Sequence, residues 1–200
     1  MTSVTSLPDR PSDPLAFLDA RRSVPAKQLR EPGPDAATLE RMLTSAVRVP
    51  DHGKRVPFRF LRIAGDARRA LGDAVAARAL ERDPDAGAGA QDKDRNRFLH
   101  APLVLVVVAV LDEDDDKIPK QERLMTAGCV CFALLQAAQA LGFGAVWLSG
   151  WPSHDKHVRT LLGLGRQERI AGFMHIGTPK LDVPERDRPD PMDLLVDWTP

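Results

Sequence analysis

No tyrosine occurs in this chain, and phenylalanine and tryptophan together bring aromatic content to only 5%. Net charge is missing as well, since 28 basic residues face 28 acidic ones. A nucleic-acid surface needs a positive field or a basic tract interleaved with aromatics, and neither is present. Cysteine is scarce. Cys129 and Cys131 stand two apart in "AGCVCFALL", roughly 200° apart on a helix, so they cannot bridge each other there and they lack metal-ligand spacing. Both read as small core or interface residues in a reducing cytoplasm. The apolar run "APLVLVVVAVL" is far too short to span a bilayer. The opening "MTSVTSLPDRPSDP" lacks the apolar core of a secretory signal, and its composition predicts a disordered tail over 1–13.

Several catalytic signatures are also lacking. "GFGAVW" and "GLGRQE" each lack the third glycine of a dinucleotide-binding turn. No GxxxxGK[ST] phosphate loop occurs, and no GxSxG nucleophile elbow.

What is present reads as one domain over 14–200 with an extended C-terminal tail. A helix is predicted over roughly 14–22, capped by Asp13, with Leu15 and Leu18 inward. In "GPDAATLERMLTSAVRVP", Leu39, Met42, Leu43, Ala46 and Val47 recur at helical spacing from a start near Asp35. "PFRFLRIAG" alternates as a strand, and "DARRALGDAVAARAL" follows as a helix. The small residues of "RDPDAGAGAQDKD" predict a mobile loop, including 82–92. "PLVLVVVAVL" reads as a strand buried on both faces. "DEDDDK" reads as a solvated charge run. A long helix then starts near Pro119, and between Ala127 and Leu141 its strongly polar residues are Gln136 and Gln139. A helix apolar nearly all round needs cover on every side, which points to a second subunit. "GFGAVWLSG" and "ERIAGFMHIGTP" are further strands, separated by a helix capped by Ser153. His175 reads as a satisfied core or interface histidine rather than a ligand, and Leu194, Leu195, Val196 and Trp198 in the tail need a surface to cover.

The chemistry is densest in two places. Arg21, Arg22 and Ser23 end the first helix, and "RVPDHGKR" brings Arg48, Pro50, His52 and Lys54 into one loop. These donors have no obvious acidic partners in the sequence and suit an anion with several acceptors. Adjacent arginines diverge by about 100° on a helix, so they do not share one face.

The pieces "RRS", "RVPDHGKRVPFRF", "LHAPLVLVVVAV", "QERLMTAGCVCFALLQAAQALGFGAVWLSG" and "IAGFMHIGTP", in this order from about 15 to 180, resemble the compact branch of the nitroreductase family. The resemblance implies an α+β fold with a central mixed, mainly antiparallel sheet flanked by helices, a long buried central helix and an intertwined homodimer. It implies FMN as cofactor and NAD(P)H as co-substrate, with a nitroaromatic, quinone or related small molecule as acceptor. Arg21, Arg22 and Ser23 would then hold the flavin phosphate and ribityl end. Arg48 and His52 would contact the flavin, with Pro50 and Lys54 nearby. Trp147, Leu148 and Ser149 would lie along it from the other side. The chemistry belongs to the flavin, so no side chain is named as acid or base. Two other readings stand beside this one: a non-catalytic or regulatory flavin-binding dimer, and a small metal-dependent enzyme using His52, His154 and His157.

Overall fold

The computed structural model describes residues 14–112 and 114–200; the expected N-terminal tail over 1–13 lies outside them. Helix α1 (Pro14–Asp19) leads through a short 3₁₀ turn into β1 (Leu29–Arg30). Helix α2 (Ala36–Ala46) starts as its sequence dictates: the Asp35 carboxylate accepts from the Thr38 amide at 2.8 Å. Leu39, Met42 and Ala46 are its buried stripe. Strand β2 (Phe58–Ala64), α3 (Asp66–Arg82), α4 (Ala88–Asn96) and β3 (Leu103–Val110) follow. Then come α5 (Lys120–Ala140), β4 (Gly144–Leu148), α6 (Trp151–His154), α7 (Lys156–Leu161) and β5 (Glu168–Pro179).

All strand pairings are antiparallel among the described residues. β3 lies between β2 and β5, and the other edge of β5 pairs first with β4 and then, beyond it, with β1. The β-branched run of β3 is buried on both faces, as its composition predicts. Leu103, Leu105, Val107 and Ala109 join the core under α2 and α5. Val104, Val106 and Val108 join the opposite core, with Leu71 and Val75 of α3 and Val158 of α7. The domain is therefore a sheet between two helical layers.

Helix α5 is the spine. Ala127, Val130, Cys131, Leu134 and Ala138 are buried against the sheet. Leu124, Met125, Cys129 and Phe132 are exposed on its other side. By length and composition alone α5 would pass as a membrane span; half of its most apolar window is buried inside this domain.

Some expectations need correction. Leu15 and Leu18 are exposed rather than inward, because α1 is a short helix with no buried residue. The stretch after α3 is not all loop: Ala88–Asn96 forms α4, which docks tightly enough that a Cβ on Gly72 of α3 would lie 2.2 Å from the Arg95 carbonyl oxygen. Gly72 is what lets the two helices approach. Asp155, not Ser153, caps α7, by accepting from the Val158 amide at 3.0 Å. The acidic run is only partly solvated, since Asp115 pairs with both Arg55 and Arg123.

Candidate functional site

The loop from Arg48 to Pro57 carries unusual backbone. Gly53, Lys54 and Val56 have φ of 68°, 52° and 47°, the left-handed region that a β-branched residue adopts only under strain. Several contacts hold it. The Asp51 carboxylate accepts from the Arg55 and Val56 amides at 3.1 and 2.8 Å. Thr126 of α5 donates to the Pro50 carbonyl at 3.1 Å, and His52 pairs with Glu122 of α5 at 2.7 Å. Arg55 reaches Asp115 at 2.8 Å. The loop is thus fixed to the N-terminal half of α5. His52 has found an acidic partner that its local sequence did not show. Among the described residues, Arg48 and Lys54 have no carboxylate in ion-pair range.

Trp147 projects from β4 beside this loop. Its indole N–H donates to the Ala171 carbonyl at 3.0 Å. The ring lies flat over β5 because residue 172 is glycine: a Cβ there would sit 2.0 Å from the indole nitrogen. Two open cavities, of about 620 and 600 Å³, meet at Met125, Gly128 and Trp147. Arg48 and Pro50 line one; Ser149 lines the other. Leu148, half-buried, pairs with Phe173 on β5.

Arg21, Arg22 and Ser23 are elsewhere. The Phe17 carbonyl of α1 accepts from Gln139, near the C-terminal end of α5, at 2.9 Å. Thr126 and Gln139 are separated by about 20 Å of helix axis at 1.5 Å per residue. The chain brings Arg48, Pro50, Trp147 and Ser149 to two adjoining cavities, whereas Arg21 and Arg22 line other crevices. Arg22 is ion-paired with Glu185 and donates to the Asp19 and Arg21 carbonyls at 2.5 and 3.0 Å. Among the described residues, the Arg21 guanidinium reaches the Ser23 hydroxyl, at 3.4 Å. Burial, then the neighbouring Arg188, Arg22 and Arg186, pull its pKa below the usual guanidinium value. The sequence reading missed Arg186 and Arg188. Their signal was the alternating "ERDR" in what read as an extended tail. A crevice about 360 Å³ in volume lies between Arg21, Arg188, Glu185, Leu18 and Asp19. Guanidiniums crowded in this way fit an anionic group with several acceptor oxygens.

The histidines do not gather. His154 and His157 sit on separate short helices, α6 and α7, not on one helical face. Among the described residues no three His, Cys, Asp or Glu side chains stand together as a metal-ligand set. His175 is fully buried, stacked on Phe98 at 6.1 Å with 12° between the rings. It is not satisfied as expected: neither ring nitrogen has a partner, and burial, with Arg97 and His100 nearby, lowers its pKa to about 4.

The fold agrees with the comparisons. Residues 18–178 match the family model for the nitroreductase family. The Escherichia coli K12 protein named "Putative NAD(P)H nitroreductase YdjA" is 37% identical over 184 residues, covering 92% of this chain and 98% of its own. A solved "Nitroreductase-like Family Protein" from Bacillus cereus superposes with a TM-score of 0.77 at 24% identity, covering 99% of this chain and 98% of its own. A structure from Desulfovibrio desulfuricans, described as a nitroreductase in complex with FMN and there qualified as putative, matches at TM-score 0.73 and 20% identity, covering 95% of this chain and all of its own. The chain belongs to the nitroreductase family, and its α+β antiparallel sheet with flanking helices is that family's fold.

Proposed function

We propose that two copies of this chain form a homodimer that binds FMN and transfers reducing equivalents from NAD(P)H to a nitroaromatic, quinone or related small acceptor. The observation that carries this reading is the excess of guanidinium groups around Arg21, which wants a phosphate. Arg21, Ser23 and Arg188 would hold that phosphate. Arg48 and Lys54, cations without carboxylate partners among the described residues, would sit at the edge of the ring system where negative charge accumulates on reduction. Trp147 offers a flat apolar surface, held by Gly172. Bound FMN would supply the two-electron chemistry, which no side chain of this chain can provide. A nitro group that takes two electrons and two protons, as NAD(P)H and one proton supply, becomes a nitroso group and water.

The same geometry supports the dimer. The anchors of the two ends on α5, Thr126 for the loop and Gln139 for α1, are about 20 Å apart along the helix axis. A second copy on the exposed Leu124, Met125 and Phe132 face would bring one copy's loop toward the other's arginines. The tail residues Leu194, Leu195, Val196 and Trp198, exposed in one chain, would find cover on the partner. No step here calls on a secreted or membrane-bound setting, and a cytoplasmic location is part of the proposal.

The test is an absorption spectrum of the purified protein. It should be yellow, sediment as a dimer, and bleach when NADH or NADPH is added without air. A colourless protein that takes up no added FMN ends this reading.

A further inference from the structure

Helix α6 has four residues, too few to hold its own geometry in water. Gly150, with φ of 93°, leads into it. Two of its side chains, Ser153 and His154, line the larger cavity beside Trp147. Trp151, at its start, packs instead with the core that holds Leu71 and Val75 of α3. The Arg82 guanidinium of α3 lies over its ring, 4.5 Å from the centroid. Its indole N–H donates to the Asp94 carboxylate of α4, at 3.3 Å from each oxygen. Arg97 donates to the same carboxylate at 2.7 and 3.3 Å, and a Cβ on Gly150 would lie 3.7 Å from an Arg97 nitrogen. The Asp94 side chain is only 13% exposed, although α4 buries no whole residue. The close approach at Gly72 and an exposed pair between Arg95 and Asp73, at 3.2 Å, hold α4 to α3. Asp94 is where α4 meets α6, across 57 residues of sequence.

We propose that Asp94 is a positioning residue: through Trp151 it fixes α6, and with it the part of the cavity wall that Ser153 and His154 form. A carboxylate shared by an indole N–H and a guanidinium makes charge-assisted bonds, stronger than neutral ones. Removing it leaves the Trp151 N–H and the Arg97 fork without that acceptor in half-buried surroundings. α6 then samples other orientations about Gly150, and the cavity keeps its folded shape for a smaller part of the time. Apparent affinity for a molecule in the cavity falls by that fraction, while the chemical step in the restored shape is unchanged. The kinetic part of this inference rests on the reductase reading; the part that concerns the placement of α6 does not.

The test compares Asp94→Ala, Asp94→Asn and Trp151→Phe with the parent full-length protein, each with whatever flavin it carries. Amide hydrogen exchange is the first readout. The Ser153 and Asp155 amides donate to the Gly150 and Trp151 carbonyls at 3.1 Å. In Asp94→Ala they should exchange about tenfold faster, with the amides of β3 unchanged. Trp151→Phe keeps a ring under Arg82 and loses the N–H, and Asp94→Asn keeps one acceptor oxygen, so both should show the same pattern at smaller size. Reduction of menadione by NADH or NADPH, whichever bleaches the parent protein, is the second readout. KM for the quinone should rise about threefold or more in Asp94→Ala, with kcat held within about twofold. Asp73→Ala, which removes the exposed pair to Arg95, should move neither readout. Faster exchange confined to α4 would overturn the proposal, since Asp94 would then serve only its own helix. So would faster exchange that reaches β3 with KM unmoved, the mark of a general loss of stability. An equal rise of KM in Asp73→Ala would overturn it as well, because any loosening of α4 would then have the same effect. A parent protein that reduces no menadione counts against the reductase reading alone, and exchange in α6 then upholds or overturns the role of Asp94.

Discussion

Two groups of arginines flank α5, and folding treats them in opposite ways. Near its N-terminal end, Arg123 and Arg55 meet Asp112 and Asp115. Charges there are matched two against two, and Arg123 is 3% exposed. Near its C-terminal end, Arg21, Arg22, Arg186 and Arg188 crowd together. Glu185 pairs with Arg22 and with Arg188, Asp19 lines the same crevice, and among the described residues no carboxylate lies in ion-pair range of Arg21. A matched cluster is complete once the chain has folded, and it clamps a loop. An unmatched one repels itself until an anion arrives. Having both around one helix separates the arginines that clamp structure from those proposed to hold an anion.

The largest effect should come from breaking the matched group. Arg123→Ala leaves Asp112 and Asp115 without their buried partner and should cost about 3–5 kcal/mol. Urea unfolding measures it, and a loss under about 1 kcal/mol would place the cluster among ordinary surface pairs. His175 extends the contrast into the core, where a group with no partner at all is kept neutral. Its folded pKa is about 4, against 6.5 ordinarily. The unfolded chain therefore binds this proton first as pH falls. Stability should be unaffected by this group above about 6.5, decline between there and about 4, and level off below. The total is about 3 kcal/mol at 1.36 kcal/mol per pH unit. His100, whose pKa burial also lowers, adds slope of the same sign. Denaturant midpoints across that range should flatten in His175→Leu; an unchanged slope would mean the imidazole is solvated in the native state.

Local periodicity carried most of the fold. The stripe of Leu39, Met42 and Ala46 and the double-sided burial of β3 were both legible because each element's neighbours are set by its own pattern. α4 was not: "AGAQDKDRN" buries nothing, so no apolar period announces it. Its helix depends on a close approach at Gly72, which is a long-range fact. The candidate residues Arg48, Pro50, Trp147 and Ser149 were named from sequence, and they line adjoining cavities. Glu122, Glu185, Arg186 and Arg188 escaped notice because they act through distant pairs, 70 residues apart for His52 and Glu122. Ser153 read as a cap when Asp155 held that place; only burial shows that its hydroxyl is idle.

The unmatched group should respond to substitution in the opposite way to Arg123. Arg21→Ala removes a cation that nothing neutralises, so unfolding without FMN should shift by no more than about 0.5 kcal/mol. FMN affinity should fall by roughly 1.5–3 kcal/mol, the range for hydrogen bonds to a charged group. A fluorescence titration reads the affinity directly. Unchanged affinity would refute the phosphate assignment, and a large loss of stability would move Arg21 into the structural class.

The smallest effect tests whether the clamped loop is held against its own preference. Val56 is 59% exposed with φ of 47°, so it is strained yet contributes little burial. The left-handed region costs an L-residue roughly 1–2 kcal/mol that glycine does not incur. Glycine also gives the unfolded chain more freedom, which takes back roughly 0.5–1 kcal/mol. Val56→Gly should therefore stabilise the protein by about 0.5 kcal/mol, opposite in sign to Arg123→Ala although both act on one loop. The two together separate the clamp from what it clamps. In Arg123→Ala the strain should be partly released, so the added benefit of Val56→Gly should shrink in the double variant. Full additivity would show that the Asp112–Arg123–Asp115 cluster does not enforce the backbone of Val56, leaving that to Asp51, through its bonds to the Arg55 and Val56 amides, and to the loop's other contacts with α5.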